Sequence, residues 1–321
     1  MPTEKFQSAL AKIREAKNIL LTIHSRPDGD AISSLCLLIE LLINEKKDYT
    51  AYSQDPIPRS FFYLPHIEKI ITDRNQFNFS DFDLIIALDC GQLTRSGLAE
   101  EIKNKLAHQS FIEFDHHPQV ENYAEIANRY PDYASTTEVL YYFLKSNKIP
   151  LNKNYANCIL TGLLTDTGNF LFPVTSDQSI NIASEMLLYG ARFPLILEST
   201  WRNKSLGTMR LWGRVLSSLE INEKYNLAFC VIRQNEILEN NASEEELESL
   251  SNFISNLHDV KAILVINELD AGEVKGSLRA TQSNIDVSRL ARLLGGGGHK
   301  KAAGFKIKGE LVNDGRRWKV K

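Results

Sequence analysis

The sequence predicts an α/β protein: a doubly wound, mainly parallel sheet followed by a smaller α/β C-terminal domain, with the active site in the cleft between them. Three observations predict it. Short apolar runs alternate with amphipathic helical stretches through residues 1–190, the pattern of successive βαβ units. Several of these runs are apolar almost throughout, as in strands covered on both faces. Four of the apolar segments stop at an acid or an imidazole, and ligands of open α/β sheets bind outside the carboxyl ends of the strands. A chain of 321 residues suffices for about two domains. They are read as 1–190 and 205–321, joined by a linker at 191–204 with no clear strand pattern.

Each element has its own reason. Residues 3–17 set Phe6, Leu10 and Ile13 at helical spacing, so an amphipathic helix leads the chain. The run N-I-L-L-T-I-H at 18–24 reads as a strand, R-P-D-G-D as its turn, and the Leu- and Ile-rich 31–45 as a helix. Strands are expected at 48–53, 67–72 and 83–89, and two prolines keep 55–59 in a loop. A helix is expected at 95–106 and a strand at 111–114, F-I-E-F, after which Pro118 stops pairing for want of an N–H. Ser135, with Glu138 three residues on, forms a capping box for a helix reaching residue 145. Further helices are expected at 152–165 and 177–189, the latter stopped by Gly190. In the second domain, 209–219, 243–257 and 285–294 read as helices, and 226–233, 260–268, 273–280 and 303–308 as strands. Asp270, Ala271 and Gly272 read as a hairpin turn.

Composition narrows the partners. A net charge of −3 argues against bulk adhesion to long duplex nucleic acid or to an anionic membrane, and leaves a small phosphate-bearing ligand compatible. The N-terminus is polar, and no apolar stretch approaches about 18 residues. A soluble cytoplasmic protein is expected. Cys36, Cys90, Cys158 and Cys230 are scattered and read as small core residues in a reducing compartment. His66, His108 and His258 read as surface residues, and Trp201, Trp212 and Trp318 as packing or interface groups.

The chemistry-bearing residues arrive together. His24-x-x-x-Asp28-x-Asp30 follows the first strand, Asp89 ends another, Asp115-His116-His117 ends a third, and Asp166 follows a helix. Any one of them alone reads equally as a cap or a surface acid. Gathered on one sheet edge, so many carboxylates and imidazoles would repel and resist desolvation without cations. Nitrogen and oxygen ligands suit manganese, iron, cobalt or zinc, and the lack of thiolates argues against structural zinc. The ligands suffice for two ions sharing a carboxylate, and two ions about 3.5–4 Å apart clamp an in-line displacement at phosphorus. In the second domain, L-G-G-G-G-H-K-K-A-A-G-F lets backbone N–H groups approach an anion, with His299, Lys300 and Arg279 adding charge and a helix from about Lys300 adding its positive end.

The motifs H-S-R-P-D-G-D-A, L-D-C-G, F-D-H-H-P, T-D-T-G-N-F and G-G-G-G-H-K-K-A-A-G-F, with I-D-V-S-R-L-A ahead of the glycines, resemble the DHH phosphoesterase superfamily. The likeness covers almost the whole chain and is closest to nanoRNase-type members, bifunctional oligoribonucleases and PAP phosphatases with a C-terminal DHH-associated domain. It implies two Mn2+ ions, with other divalent transition metals as substitutes. His24, Asp28 and Asp89 would hold one; Asp30, Asp89, His116 and Asp166 would hold the other. His117 would touch the substrate phosphate or assist the leaving oxygen, with Asp115 orienting the imidazoles. Arg279, His299 and the backbone around Gly297 and Gly298 would grip the nucleotide phosphate. Arg95, in L-T-R-S-G, fits the substrate side of the pattern. The implied activity is hydrolysis of very short single-stranded RNA and linear dinucleotides such as pApA to mononucleotides, and of PAP (3′-phosphoadenosine 5′-phosphate); a homodimer is compatible with it. The alternatives are an inorganic pyrophosphatase or exopolyphosphatase, and a nucleotide sensor that binds without cleaving. After Gly309 the chain departs from the pattern: it is short, polar and basic where an amphipathic helix is expected.

Overall fold

The computed structural model describes residues 3–119, 121–172, 174–242, 244–269, 272–282, 284–314 and 318–321. The chain divides into two units, Met1–Asn203 and Lys204–Lys321. Asp270 and Ala271 of the expected hairpin turn lie outside the described residues.

In the first unit the elements run α1 (Thr3–Glu15), β1 (Asn18–Ile23), α2 (Gly29–Asn44), β2 (Asp48–Tyr52), β3 (Ile70–Ile71), β4 (Leu84–Leu88), α3 (Ala99–Lys103), β5 (Ser110–Asp115), β6 (Ile126–Arg129), α4 (Thr136–Ser146), α5 (Lys153–Asp166), α6 (Asp177–Leu188) and α7 (Phe193–Thr200). The strands form one parallel sheet in the order β3-β2-β1-β4-β5-β6. The order reverses between β1 and β4, which opens a crevice at their carboxyl ends. The apolar runs in β1 and β4 are explained by cover on both faces. One face packs on α1, α2, α4 and α5 through Phe6, Leu38, Phe143 and Leu163. The other packs Leu20, Ile85 and Phe111 against Phe82 and Leu98. Helix α2 is apolar nearly all round because it is buried nearly all round, from Gly29 to Leu42.

Several expectations change here. The strand β6 was not anticipated; I-A-N-R is half polar and, among the described residues, pairs with β5 alone. The expected helix at 95–106 begins only at Ala99, and a 3₁₀ turn over Leu93–Arg95 precedes it. Ser135 caps α4 as expected, but Glu138 turns to the N–H of Ala134 rather than completing a box with Ser135. The supposed linker is largely helical: α7 sinks Ile196 fully into the first core, so the first unit extends to Asn203. His66 is not a free surface residue, since its Nε2 lies 2.5 Å from the buried carboxylate of Glu40.

The second unit contains α8 (Leu206–Ser217), β7 (Glu220–Asn222), β8 (Leu227–Ile232), α9 (Gln234–Glu239), α10 (Glu244–Ile254), β9 (Ala262–Leu269), β10 (Glu273–Ala280), α11 (Ser288–Leu293), β11 (Gly297–Gly298), β12 (Ala302–Lys308), β13 (Leu311–Asn313) and β14 (Trp318–Val320). Its main sheet has the order β11-β12-β10-β9-β8-β7. All of its pairs are antiparallel except β8 with β9. The helix expected from Lys300 does not form. Residues beyond it alternate in burial, with Ala303 and Phe305 inward, and this period of two makes β12 a strand. In the tail, β13 pairs antiparallel with β14, and the described residues there form strands instead of the expected helix. Among the described residues, no helix is long and apolar enough to cross a membrane.

Candidate metal centre and active site

The loops after β1, β4 and β5, with the ends of α2, α4 and α5, bring the predicted ligands to one place. Three donor groups lie with their ligand atoms within 4.8 Å of one another: His24, Asp28 and Asp89; Asp30, His116 and Asp166; and Asp89, His116 and His117. Asp89 belongs to two of the three. It follows β4 immediately and has φ +57. A left-handed backbone costs an ordinary residue about 1–2 kcal/mol, and Asp is among the few that tolerate it. That strained turn aims the carboxylate back over the sheet edge. His24 Nε2 stands 3.7 Å from Asp89 Oδ2, and His116 Nε2 stands 3.6 Å from Asp89 Oδ1.

Local structure fixes the other acids. Asp28 caps α2: its Oδ1 accepts from the N–H groups of Asp30 and Ala31, which leaves Oδ2 to face His24 Nε2 at 3.6 Å. Asp30, fully buried, accepts from Thr136 N at 2.6 Å and Thr137 N at 3.0 Å, the first amides of α4. A helix N-terminus suits an anion there. Helix α5 can come this close because residue 162 is glycine; a Cβ would stand 2.4 Å from Asp30 Oδ1. Asp166, at the end of α5, lies 3.1 Å from His116 Nε2.

The protonation tendencies share one cause. Burial raises the pKa of Asp30 well above the carboxylate range, and the neighbouring Asp166 and Asp89 raise it further. Asp166 is pushed up to about 6, burial outweighing the pull of His116. Burial works against a charged His116, yet Asp166, Asp89 and Asp30 hold its pKa well above the ordinary imidazole value. Acids that retain protons and imidazoles that gain them both report negative charge packed away from water. Divalent cations with nitrogen and oxygen preference fit such a donor set.

Asp115 backs His117, whose Nδ1 also lies 3.3 Å from Asp89 Oδ1. Asp115 Oδ1 accepts from the backbone N–H of His117 at 2.8 Å and faces its Nδ1 at 2.9 Å, while Oδ2 accepts from Gly91 N at 2.7 Å. Burial would raise the Asp115 pKa, but His117 and Arg129 hold it below the usual carboxylate range. His117 rises to about 9, because its bonds to Asp115 and Asp89 outweigh burial. Arg95 Nη2 lies 3.0 Å from His24 Nδ1. Cys90 is buried and free, with its thiol pKa raised by burial, as expected of a core residue.

The second unit holds the remaining predicted residues. Arg279 pairs with Ala302 across β10 and β12, and Gly298 pairs with Ala303 across β11 and β12. His299 N donates to Ala302 O at 2.8 Å. The glycine run and Arg279 therefore sit at one end of one sheet. Gly298 has φ +128, and a Cβ there would meet Ala302 O at 2.6 Å, so this turn requires glycine. Arg279 is steadied by Asn252, whose Oδ1 accepts from Nε at 2.7 Å.

Sequence reasoning missed Thr136, whose hydroxyl donates to Asp89 Oδ1 at 2.9 Å, and Arg129, which meets Asp115 and Glu113. Glu113 carried the one available signal, an acid in the middle of an otherwise apolar strand.

Residues 18–163 match the DHH family, N-terminal domain, and residues 224–316 match the DHHA1 domain. A probable bifunctional oligoribonuclease and PAP phosphatase NrnA of Streptococcus mutans is 25% identical over 93% of this chain and 92% of its own. The bifunctional oligoribonuclease and PAP phosphatase NrnA of Thermus thermophilus is 27% identical over 91% of this chain and 84% of its own. Among solved structures, an exopolyphosphatase-related protein of Bacteroides fragilis is 26% identical, with TM-score 0.85, covering 96% of this chain and 92% of that one. The acids and imidazoles of the first unit's motifs gather at one sheet edge, and the chain carries a DHH family N-terminal domain followed by a DHHA1 domain.

Proposed function

We propose that the protein hydrolyses very short oligoribonucleotides and linear dinucleotides of the pApA type to mononucleotides, and also PAP, using two manganese ions. The observation that carries this reading is the convergence of two donor groups on Asp89. His24, Asp28 and Asp89 would hold one ion; Asp30, Asp89, His116 and Asp166 would hold the other. A divalent pair supplies a water nucleophile near neutral pH and neutralises charge on the phosphoryl group. The protein's own residues do the rest. Asp115 orients His117, and His117, held by that contact, can meet a phosphate oxygen and assist the leaving oxygen. Arg279, His299 and the amides around Gly297 and Gly298 would grip the nucleotide phosphate. Arg95 would stand on the substrate side. The bifunctional names of the relatives at 25% and 27% identity support this choice of substrates. Four buried, free cysteines suit a reducing compartment, the cytoplasm.

A second reading, hydrolysis of polyphosphate or pyrophosphate at the same centre, is favoured by the description of the Bacteroides fragilis relative. A substrate panel with manganese separates the two: pApA, two- to five-mers, PAP, cyclic dinucleotides, polyphosphate and pyrophosphate. Release of AMP from pApA faster than turnover of the inorganic substrates supports the proposal. The reverse order establishes the second reading, and tight binding of pApA without cleavage would make the protein a sensor.

A further inference from the structure

Arg129 has a role that the mechanism above leaves unstated. Its side chain is 4% exposed and meets Glu113 at 3% and Asp115 at 1%. Every arm of the guanidinium is engaged. Nε and Nη2 form a fork on Glu113, donating to Oε1 at 3.1 Å and Oε2 at 2.8 Å. Nη2 also lies 3.1 Å from Asp115 Oδ2. Nη1 donates to the carbonyls of Gly91 and His117, each at 3.2 Å. One planar group thus ties the loop after β4, which follows Asp89, to the loop after β5, which carries His116 and His117. The register of β5 and β6 puts it there, since Asp115 and Arg129 are direct partners.

Stability does not explain such a cluster. Taking three charges out of water is costly, and apolar residues of similar volume often serve as well or better. What the cluster does deliver is fixed geometry. Asp115 Oδ2 receives Gly91 N from one side and Arg129 from the other, so the carboxylate cannot rotate away from His117. We propose that Arg129 is a positioning residue that sets the Asp115 carboxylate, and through it the His117 imidazole, for work on the substrate. The inference rests on the phosphoesterase reading of His117. Lysine cannot substitute, because a single ammonium cannot span two carboxylates and two carbonyls in one plane.

The test is Arg129→Lys, measured in three ways: steady-state cleavage of pApA with manganese, bound manganese after dialysis, and the downfield His117 Nδ1 proton by NMR in the chelated full chain. The expected result is a kcat lower by about 10–100-fold, as for other residues that orient active groups. KM should stay within about twofold, manganese content should be unchanged, and the His117 resonance should move or vanish. A kcat within about twofold of wild type, an unchanged His117 resonance, or manganese lost in step with kcat would each overturn the proposal. Should Arg129→Lys fail to fold, Glu113→Gln, which loosens one side of the fork, undergoes the same measurements. The same pattern at smaller size supports the proposal, and unchanged kcat and resonance overturn it. If wild-type protein cleaves no nucleotide in the panel while the resonance still depends on Arg129, the substrate reading falls and the positioning role stands.

Discussion

Helix α2 carries two buried acids, Asp30 and Glu40, that face opposite situations. Glu40 is 6% exposed and accepts from Asn152 at 2.6 Å, Asn154 at 3.0 Å and Asn44 at 3.3 Å, with His66 at 2.5 Å. Burial alone would raise its pKa, but these partners hold it below the ordinary value. Asp30 is buried more deeply, at 0% exposed, and its pKa rises through burial first and then through the neighbouring Asp166 and Asp89. A buried acid surrounded by donors is structure. A buried acid facing other acids favours added positive charge, and that difference separates the two ends of one helix.

The largest effect should come from breaking the site at its shared residue. Asp89→Ala removes a donor common to both groups and should lower activity to about a thousandth of wild type or less, with loss of bound manganese measured by dialysis. Normal turnover in that variant would refute the bridging role. Chelation comes next: it should abolish cleavage, and manganese should restore it. Because the crowded acids gain a partner on binding, manganese at about 100 times its Kd should stabilise the fold by about 2.7 kcal/mol, read as a rise in Tm. Unchanged Tm would mean that the acids are not the binding groups.

The Glu40 end sharpens the contrast in the opposite direction. Glu40→Gln should cost about 2 kcal/mol of stability, because buried donors lose a charged acceptor, while kcat below Tm stays unchanged. The sign of its pH dependence follows from the depressed pKa. The contribution is fully present above the ordinary value of 4.5 and is lost as pH falls through the lower folded-state value. The Tm gap between wild type and variant should therefore close in acid; a gap that widens there would contradict the assignment. The smallest effect is expected in the second unit. Arg279→Ala should raise KM by about tenfold and leave kcat nearly untouched, the pattern of lost uniform binding. An unchanged KM would remove Arg279 from the phosphate grip.

Much of this was legible locally. The apolar runs of β1, β4 and β5 and the cap Ser135 lie in consecutive residues, and each depends on forces acting over a few residues. The family motifs were legible for the same reason, since each is a contiguous loop at a strand or helix end. The polar strand β6 and the helix α7 were not. Short elements are fixed by the neighbours they dock on, as Ile196 docks into the first core. The glycine run likewise became a strand edge because β12 offered it a partner.

The sequence by itself determined which residues carry charge and at which segment ends they sit. Only the tertiary structure decided who meets whom. Asp89 joins His24 and His116 because β1, β4 and β5 lie side by side in an order the chain does not follow. Glu40 finds Asn152, and Arg129 finds Asp115, by the same kind of packing. Hydrophobic periodicity encodes how one segment folds and which face it hides. It does not encode which distant segment will cover that face, and the charges that end up sharing a buried space are set by that second choice.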